Sequence, residues 1–359
     1  MASRAHATDL FDPTAPDASW DASSPVAQDL DGLPVWDRVE RLVDPDTVLF
    51  RQEDFAPGWS WDDDSVASPH VATAFGASTP HSGVALLHFA PGWALADHPF
   101  PVILIPGAGA SATGVMPPLA RSLAADGHAV FALTFAHPHG DAFQQAEQLS
   151  NAVARVREVT GAEQVDLLGH SKGGIAAGIY ISHRQGLAWG ADERALAFVA
   201  RGTPYRGDVR RCVLAGVPLG GVDTAFRWTS THMATGYGAD PLSPSPWTTF
   251  YPYTTVNLLV SEDLRHVDLW PEVAEPFPGQ AQLLARWDDL YPLPGDDLLL
   301  GPYAMQQDWW TTYHGGLGFY SYSPGIDDAI ETQGGLLDAL AQAGVDPDVE
   351  IAVLAGTNP

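Results

Sequence analysis

One cysteine and one lysine are all that this 359-residue chain holds of either type, and both scarcities restrict what it can be. The single thiol, Cys212, excludes an intrachain disulfide framework and any cysteine-rich metal centre. Followed by Val213 and Leu214, it reads as a buried structural thiol. Cations are few: 17 Lys plus Arg against 44 Asp plus Glu give a formal charge of -27, although charged residues make up only 17% of the chain. The acidity comes from missing positive charge more than from a dense acidic coat. A field of that sign repels nucleic acid and anionic membrane, so neither is expected as a partner. No apolar run reaches the roughly 18 residues of a membrane-spanning helix. Nor does an apolar h-region follow Met1, so the expected location is cytoplasmic unless the true start lies upstream.

What is present is an alternation of buried strands and helices. Pro101-Val102-Ile103-Leu104-Ile105 is an apolar run of strand length, broken at once by Pro106-Gly107-Ala108-Gly109-Ala110. A helix is expected over 116–126, ended by Gly127, then a buried strand over 129–135. A second helix is expected over 143–160 with Gly161 as its stop, then strands over 165–168 and 209–217 around a helix over 175–184. Strands alternating with helices at this spacing predict an α/β fold with a mostly parallel sheet and helices on both faces.

The organising stretch is Gly169-His170-Ser171-Lys172-Gly173, which stands between an apolar strand and a run of small residues suited to helix. That order is a nucleophile elbow: a serine on a strained strand-to-helix turn. Gly169 and Gly173 are required where strand and helix pack too closely for a Cβ. The helix N-terminus behind Ser171 favours developing negative charge. Lys172 is the sole lysine: one reading gives its ammonium a use beside the nucleophile, and the preferred one needs only the amide of that residue.

The remaining segments divide the chain. Residues 1–32, rich in Ala, Asp, Pro and Ser, read as a disordered tail, and 33–97 as an irregular extension with one convincing strand over 84–89. The α/β core is placed at 98–225. An aromatic-rich cap insertion follows over 226–330, with Trp228, Trp247, Tyr251, Trp270, Trp287, Trp309 and Trp310 among many prolines and glycines. Residues 331–359 return a helix and a core strand. Asp62-Asp63-Asp64 lacks the spaced oxygen ligands of a calcium loop and reads as a solvated turn. His137 and His139 have no acidic partner at metal-ligand spacing and read as loop residues. The arginines Arg184, Arg194, Arg201, Arg206, Arg210 and Arg211 read as a solvated, ion-paired face.

Ile103-Leu104-Ile105-Pro106-Gly107-Ala108-Gly109 followed by Gly169-His170-Ser171-Lys172-Gly173 resembles the α/β-hydrolase lipases. The likeness is to bacterial triacylglycerol lipases, lecithin–cholesterol acyltransferase-like lipases and polyhydroxyalkanoate depolymerases, over 101–223 and the final strand. It implies Ser171 as nucleophile, and the backbone amides of Ala108 and Lys172 as the oxyanion hole. No cofactor or metal is implied, and the expected substrate is a lipid or other hydrophobic ester. The sequence departs at Pro106, where lipases of this type carry His before Gly. In this fold the chain order is Ser, acid, His. Two placements of acid and base stay open. One puts both beyond Pro359, with the last strand missing from the chain. The other is an in-chain relay with Asp223 as acid and His314, His232 or His266 as base. His170 belongs to the elbow but is expected to point away from Ser171.

Overall fold

A computed structural model describes residues 15–28, 32–55, 60–61, 70–183, 193–223, 226, 249–250, 278–293, 310, 313–317, 321–323, 325–333 and 335–356. The triple Asp62-Asp63-Asp64, the first 14 residues, Arg184, His232, His266 and the aromatics Trp228, Trp247, Tyr251, Trp270 and Trp309 lie outside the described residues.

The strands are β1 (Ala18–Asp21), β2 (Arg38–Val43), β3 (Val84–Phe89), β4 (Val102–Ile105), β5 (Val130–Phe135), β6 (Val165–His170) and β7 (Val209–Ala215). After the insertion's short strands β8 (Thr249–Phe250), β9 (Gly316–Leu317) and β10 (Ser321–Ser323) comes β11 (Glu350–Leu354). Eight of them form one sheet in the order β1-β2-β3-β5-β4-β6-β7-β11, while β8-β10-β9 make a separate small sheet. Pairings from β5 across to β11 are parallel, and β1, β2 and β3 join antiparallel. With helices on both faces and a serine elbow after β6, this is the α/β-hydrolase fold expected.

Why β4 is apolar throughout, and β5 at every position but Thr134, is visible in the two cores. Ile103, Ile105, Phe131 and Leu133 face a core completed by helices α4 (Ala142–Thr160) and α5 (Lys172–Ser182). Val102, Leu104, Val130 and Ala132 face the opposite core, with α1 (Val71–Phe75) and residues of α2 (Ala112–Val115) and α3 (Pro117–Ala125). A parallel strand buried on both faces needs no polar alternation. Helix α4 starts where Asp141 accepts from the amides of Phe143 and Gln144, and it stops at left-handed Gly161 (φ 72°). Cys212 is fully buried among these residues, and burial pushes its thiol up to about 12, as befits an inert structural group.

Three features depart from the sequence reading. The extension is part of the main sheet: β2 pairs along its length with β3, and β1, placed in the expected tail, adds to β2. Glu40 hid β2 from the pattern, because it is a buried charge on a strand, held by Arg155 at 2.8 Å. Residues 193–201 form α6 (Glu193–Arg201), amphipathic with Ala195 and Phe198 inward. Helix α3 fills the span expected over 116–126, but a separate one-turn helix, α2, precedes it, the two meeting at Met116. As read, the described arginines of the basic stretch pair with acids: Arg194 with Asp141, Arg201 with Asp46, Arg206 with Asp208, Arg210 with Asp166 and Arg211 with Glu350.

Candidate active site

Strand β4 lies between β5 and β6, so the chain leaves it to one side and returns on the other. At such a reversal the loops at the carboxyl ends of neighbouring strands splay apart and leave a crevice. Here those loops are 106–110, after β4, and the elbow, after β6. Register brings them together, since Ile105 pairs with Gly169.

Ser171 sits in the turn at φ 52° and ψ -131°, the only non-glycine residue with positive φ among those described. Such a conformation costs about 1–3 kcal/mol and persists only where its surroundings impose it. They do so here. The Ser171 amide donates to Ala215 O at 3.0 Å, and its carbonyl accepts from Gly174 N at 3.0 Å. A Cβ on Gly169 would stand 2.5 Å from Gly174 Cα, and one on Gly173 would stand 2.3 Å from Pro106 O. Both elbow glycines are therefore required by backbone contact, as their spacing suggested. Gly174, unremarked in the sequence, is as tight: a Cβ there would meet Val217 Cγ2 at 2.1 Å.

The serine is half-buried, and its hydroxyl has no hydrogen-bond partner among the described residues. It faces the loop after β4, where the Cβ that Gly107 lacks would lie 2.8 Å from Ser171 Cβ and 3.2 Å from Oγ. Among the described residues neither the Ala108 amide nor the Lys172 amide is spent on a hydrogen bond. Lys172 is the first residue of α5, so its N–H is one of the helix's open donors. The far side of the loop is anchored: Gly109, at φ 69°, donates to Pro138 O at 3.4 Å, and Ser111 caps α2 through Gly114 N. Thr134 Oγ1 accepts from Ala112 N and bonds the buried His88, whose burial holds it neutral with a value lowered to about 3.

The other candidates divide. His170 is exposed; its Nδ1 lies 3.3 Å from the point where a Gly107 Cβ would stand, and it makes no hydrogen bond to Ser171. His137 spends both ring nitrogens on backbone, one with Asp54 O at 2.9 Å and one accepting from His139 N at 3.2 Å, and burial lowers it to about 4. His139 packs beside Gly109 and pairs with Gln280 at 2.7 Å. They are loop-holding residues, and no cluster of three or more metal-ligating side chains occurs among the described residues. Asp223 is buried and accepts from Tyr313 Oη at 2.9 Å. His314 packs against Trp310 at 4.0 Å between centroids, the rings tilted by 43°, and makes no hydrogen bond to Asp223.

The sequence reading missed what stands behind the elbow. The Lys172 side chain is 1% exposed, and its Nζ donates to Gln145 Oε1. Glu53, from the extension, accepts from Asp141 N at 2.7 Å, and Gln282, from the insertion, donates to Asp141 Oδ2 at 2.6 Å and accepts from Ala142 N at 2.8 Å. Desolvation lowers Lys172 to about 8, opposed by the carboxylates of Glu53 and Asp141, while burial raises Glu53. The Asp at 141 before a helical run was legible as a cap. Nothing local marked Glu53.

No protein-family model and no curated protein matches the chain. Among solved structures it is similar to a Bacillus licheniformis lipase in mature form, at 19% identity and a TM-score of 0.30, over 40% of this chain and 54% of that one. A carboxylesterase of Nitrososphaera gargenis aligns at 13% identity and a TM-score of 0.30, over 76% and 87% of the two chains. A Pyrococcus furiosus esterase aligns at 12% and 0.31, over 76% and 78%. The chain spans about half the length of the Bacillus licheniformis lipase that it matches.

Proposed function

We propose that this α/β-hydrolase fold carries a serine carboxylic-ester hydrolase, a lipase or esterase for hydrophobic acyl esters. The observation that carries the reading is Ser171, held at φ 52° against a glycine loop, its hydroxyl without a hydrogen-bond partner among the described residues. In the proposed reaction Ser171 Oγ attacks the ester carbonyl, and its proton passes to a base. The carbonyl oxygen becomes an oxyanion between the Ala108 and Lys172 amides. The tetrahedral species collapses with loss of the alcohol, which takes up the proton. Water then adds to the acyl-serine and releases the acid, restoring Ser171. Amides aimed at the developing charge supply the larger part of such catalysis, each worth about 100–1000-fold in rate. His314 makes no hydrogen bond to Asp223, so these two are not paired as base and acid, and the reading leaves the base unassigned.

A serine-directed fluorophosphonate tests this. Stoichiometric labelling that disappears in Ser171→Ala supports the enzyme. The rival is a binding protein that keeps the fold without a working base. A well-folded sample that takes up no label would support that rival. With labelling established, product analysis with water or an alcohol as acceptor separates hydrolysis from acyl transfer. A polyester substrate separates a depolymerase from a lipase.

A further inference from the structure

The chain's one lysine is buried directly behind its proposed nucleophile, and the chemistry above uses only that residue's amide. Four residues from three segments, α4 with its cap, the extension and the insertion, close around the ammonium. Gln145, in the first turns of α4, accepts from Nζ. Asp141, the cap of α4, and Glu53, from the extension, are its electrostatic partners and are tied to each other by the Asp141 N–H. The fourth wall is Gly279 of the insertion, in the helix Pro278–Ala281. A Cβ at Gly279 would stand 2.0 Å from Lys172 Cε, 2.7 Å from Nζ and 2.0 Å from Gly140 O, so only glycine fits. The Gly279 amide donates to His139 O at 2.9 Å, which joins the insertion to the loop beside Gly109. A buried cation so enclosed has one arrangement open to it, and its backbone is fixed along with it.

We propose that the Lys172 side chain is a positioning residue for the ester-hydrolysing site. By filling the polar chamber behind the elbow, it fixes the Lys172 amide at the oxyanion position, against the extension, α4 and the insertion. The inference rests on the serine-hydrolase reading. Lys172 touches no substrate and acts through its own N–H, whose aim matters because a misplacement of about 1 Å at a reacting centre costs on the order of 100-fold.

Truncating the charge alone leaves Glu53 and Asp141 buried with Arg194 as their one remaining cation and invites misfolding. The test therefore compares wild type with Lys172→Met and with Lys172→Met/Glu53→Gln, in which the charge lost from the chamber is balanced. Thermal melts report folding; the fluorophosphonate labelling rate, and kcat against KM on a short-chain aryl ester, report the site. The double variant should recover the melting temperature lost in the single one. Its labelling rate and kcat should stay about 10–100-fold below wild type with KM little changed, less than the loss expected for removing a donor outright. If the stable double variant acylates within about twofold of wild type, Lys172 only balances charge and the proposal is wrong. If wild type itself takes up no label, the hydrolase reading fails instead.

Discussion

The sharpest test of the site is Gly107→Ala, because it adds one methyl between the two loops. That methyl would be built 2.8 Å from Ser171 Cβ and 3.2 Å from Oγ. Ser171 has little room to yield, since its amide and carbonyl are both bonded, to Ala215 O and Gly174 N, and Gly169 and Gly173 abut backbone. The loop after β4 must therefore move. Restoring an ordinary contact of about 3.4 Å means a retreat of about 0.6 Å, and the Ala108 amide one residue on is carried with it. An overpacked contact of this kind costs about 1–3 kcal/mol of stability. A donor displaced by a good fraction of an ångström loses much of the 100-fold or more that an oxyanion contact supplies. The expected outcome is a folded protein, melting a few degrees lower, whose fluorophosphonate labelling rate drops about 30–300-fold. Labelling at the wild-type rate would refute the placement of Ala108 opposite Ser171.

Two further outcomes follow from strain and from burial. Ser171→Gly relieves the positive φ and should raise stability by about 1 kcal/mol net of glycine's extra chain entropy, while abolishing labelling; denaturant midpoints measure it. No gain would mean that the turn is not under strain. Glu147 is buried beneath Thr203, whose amide and hydroxyl both donate to it, and burial raises its carboxyl from 4.5 to about 7. The folded state thus holds a proton that the unfolded chain has already lost. Its contribution to stability is full below about pH 4.5 and is lost as pH rises through about 7. Glu147→Gln should remove that decline, gaining about 1–3 kcal/mol over wild type on going from about pH 5 to about pH 8 in paired urea titrations. Parallel stability curves for the two proteins would show that the carboxylate is not desolvated in the native state.

Much of the scaffold was legible in order of residues alone, and the reason is range. An apolar run with no polar alternation, a left-handed glycine after a helix and a Gly-x-Ser-x-Gly turn are each decided by atoms a few residues apart. Ile103 to Gly109, Gly161 and the elbow therefore declared themselves, and with them the fold and Ser171. Strand β2 did not, because the charge of Glu40 on a buried face makes sense only once Arg155 arrives from 115 residues away. The chamber around Lys172 is the same case carried further. Glu53 meets Asp141 across 88 residues, Gln282 meets it across 141, and a buried ammonium is tolerable only where all of them converge. Local chemistry settles which residue is lifted out of the turn. What stands behind it depends on segments whose pairing is set by packing, and packing has no signature in any one of them.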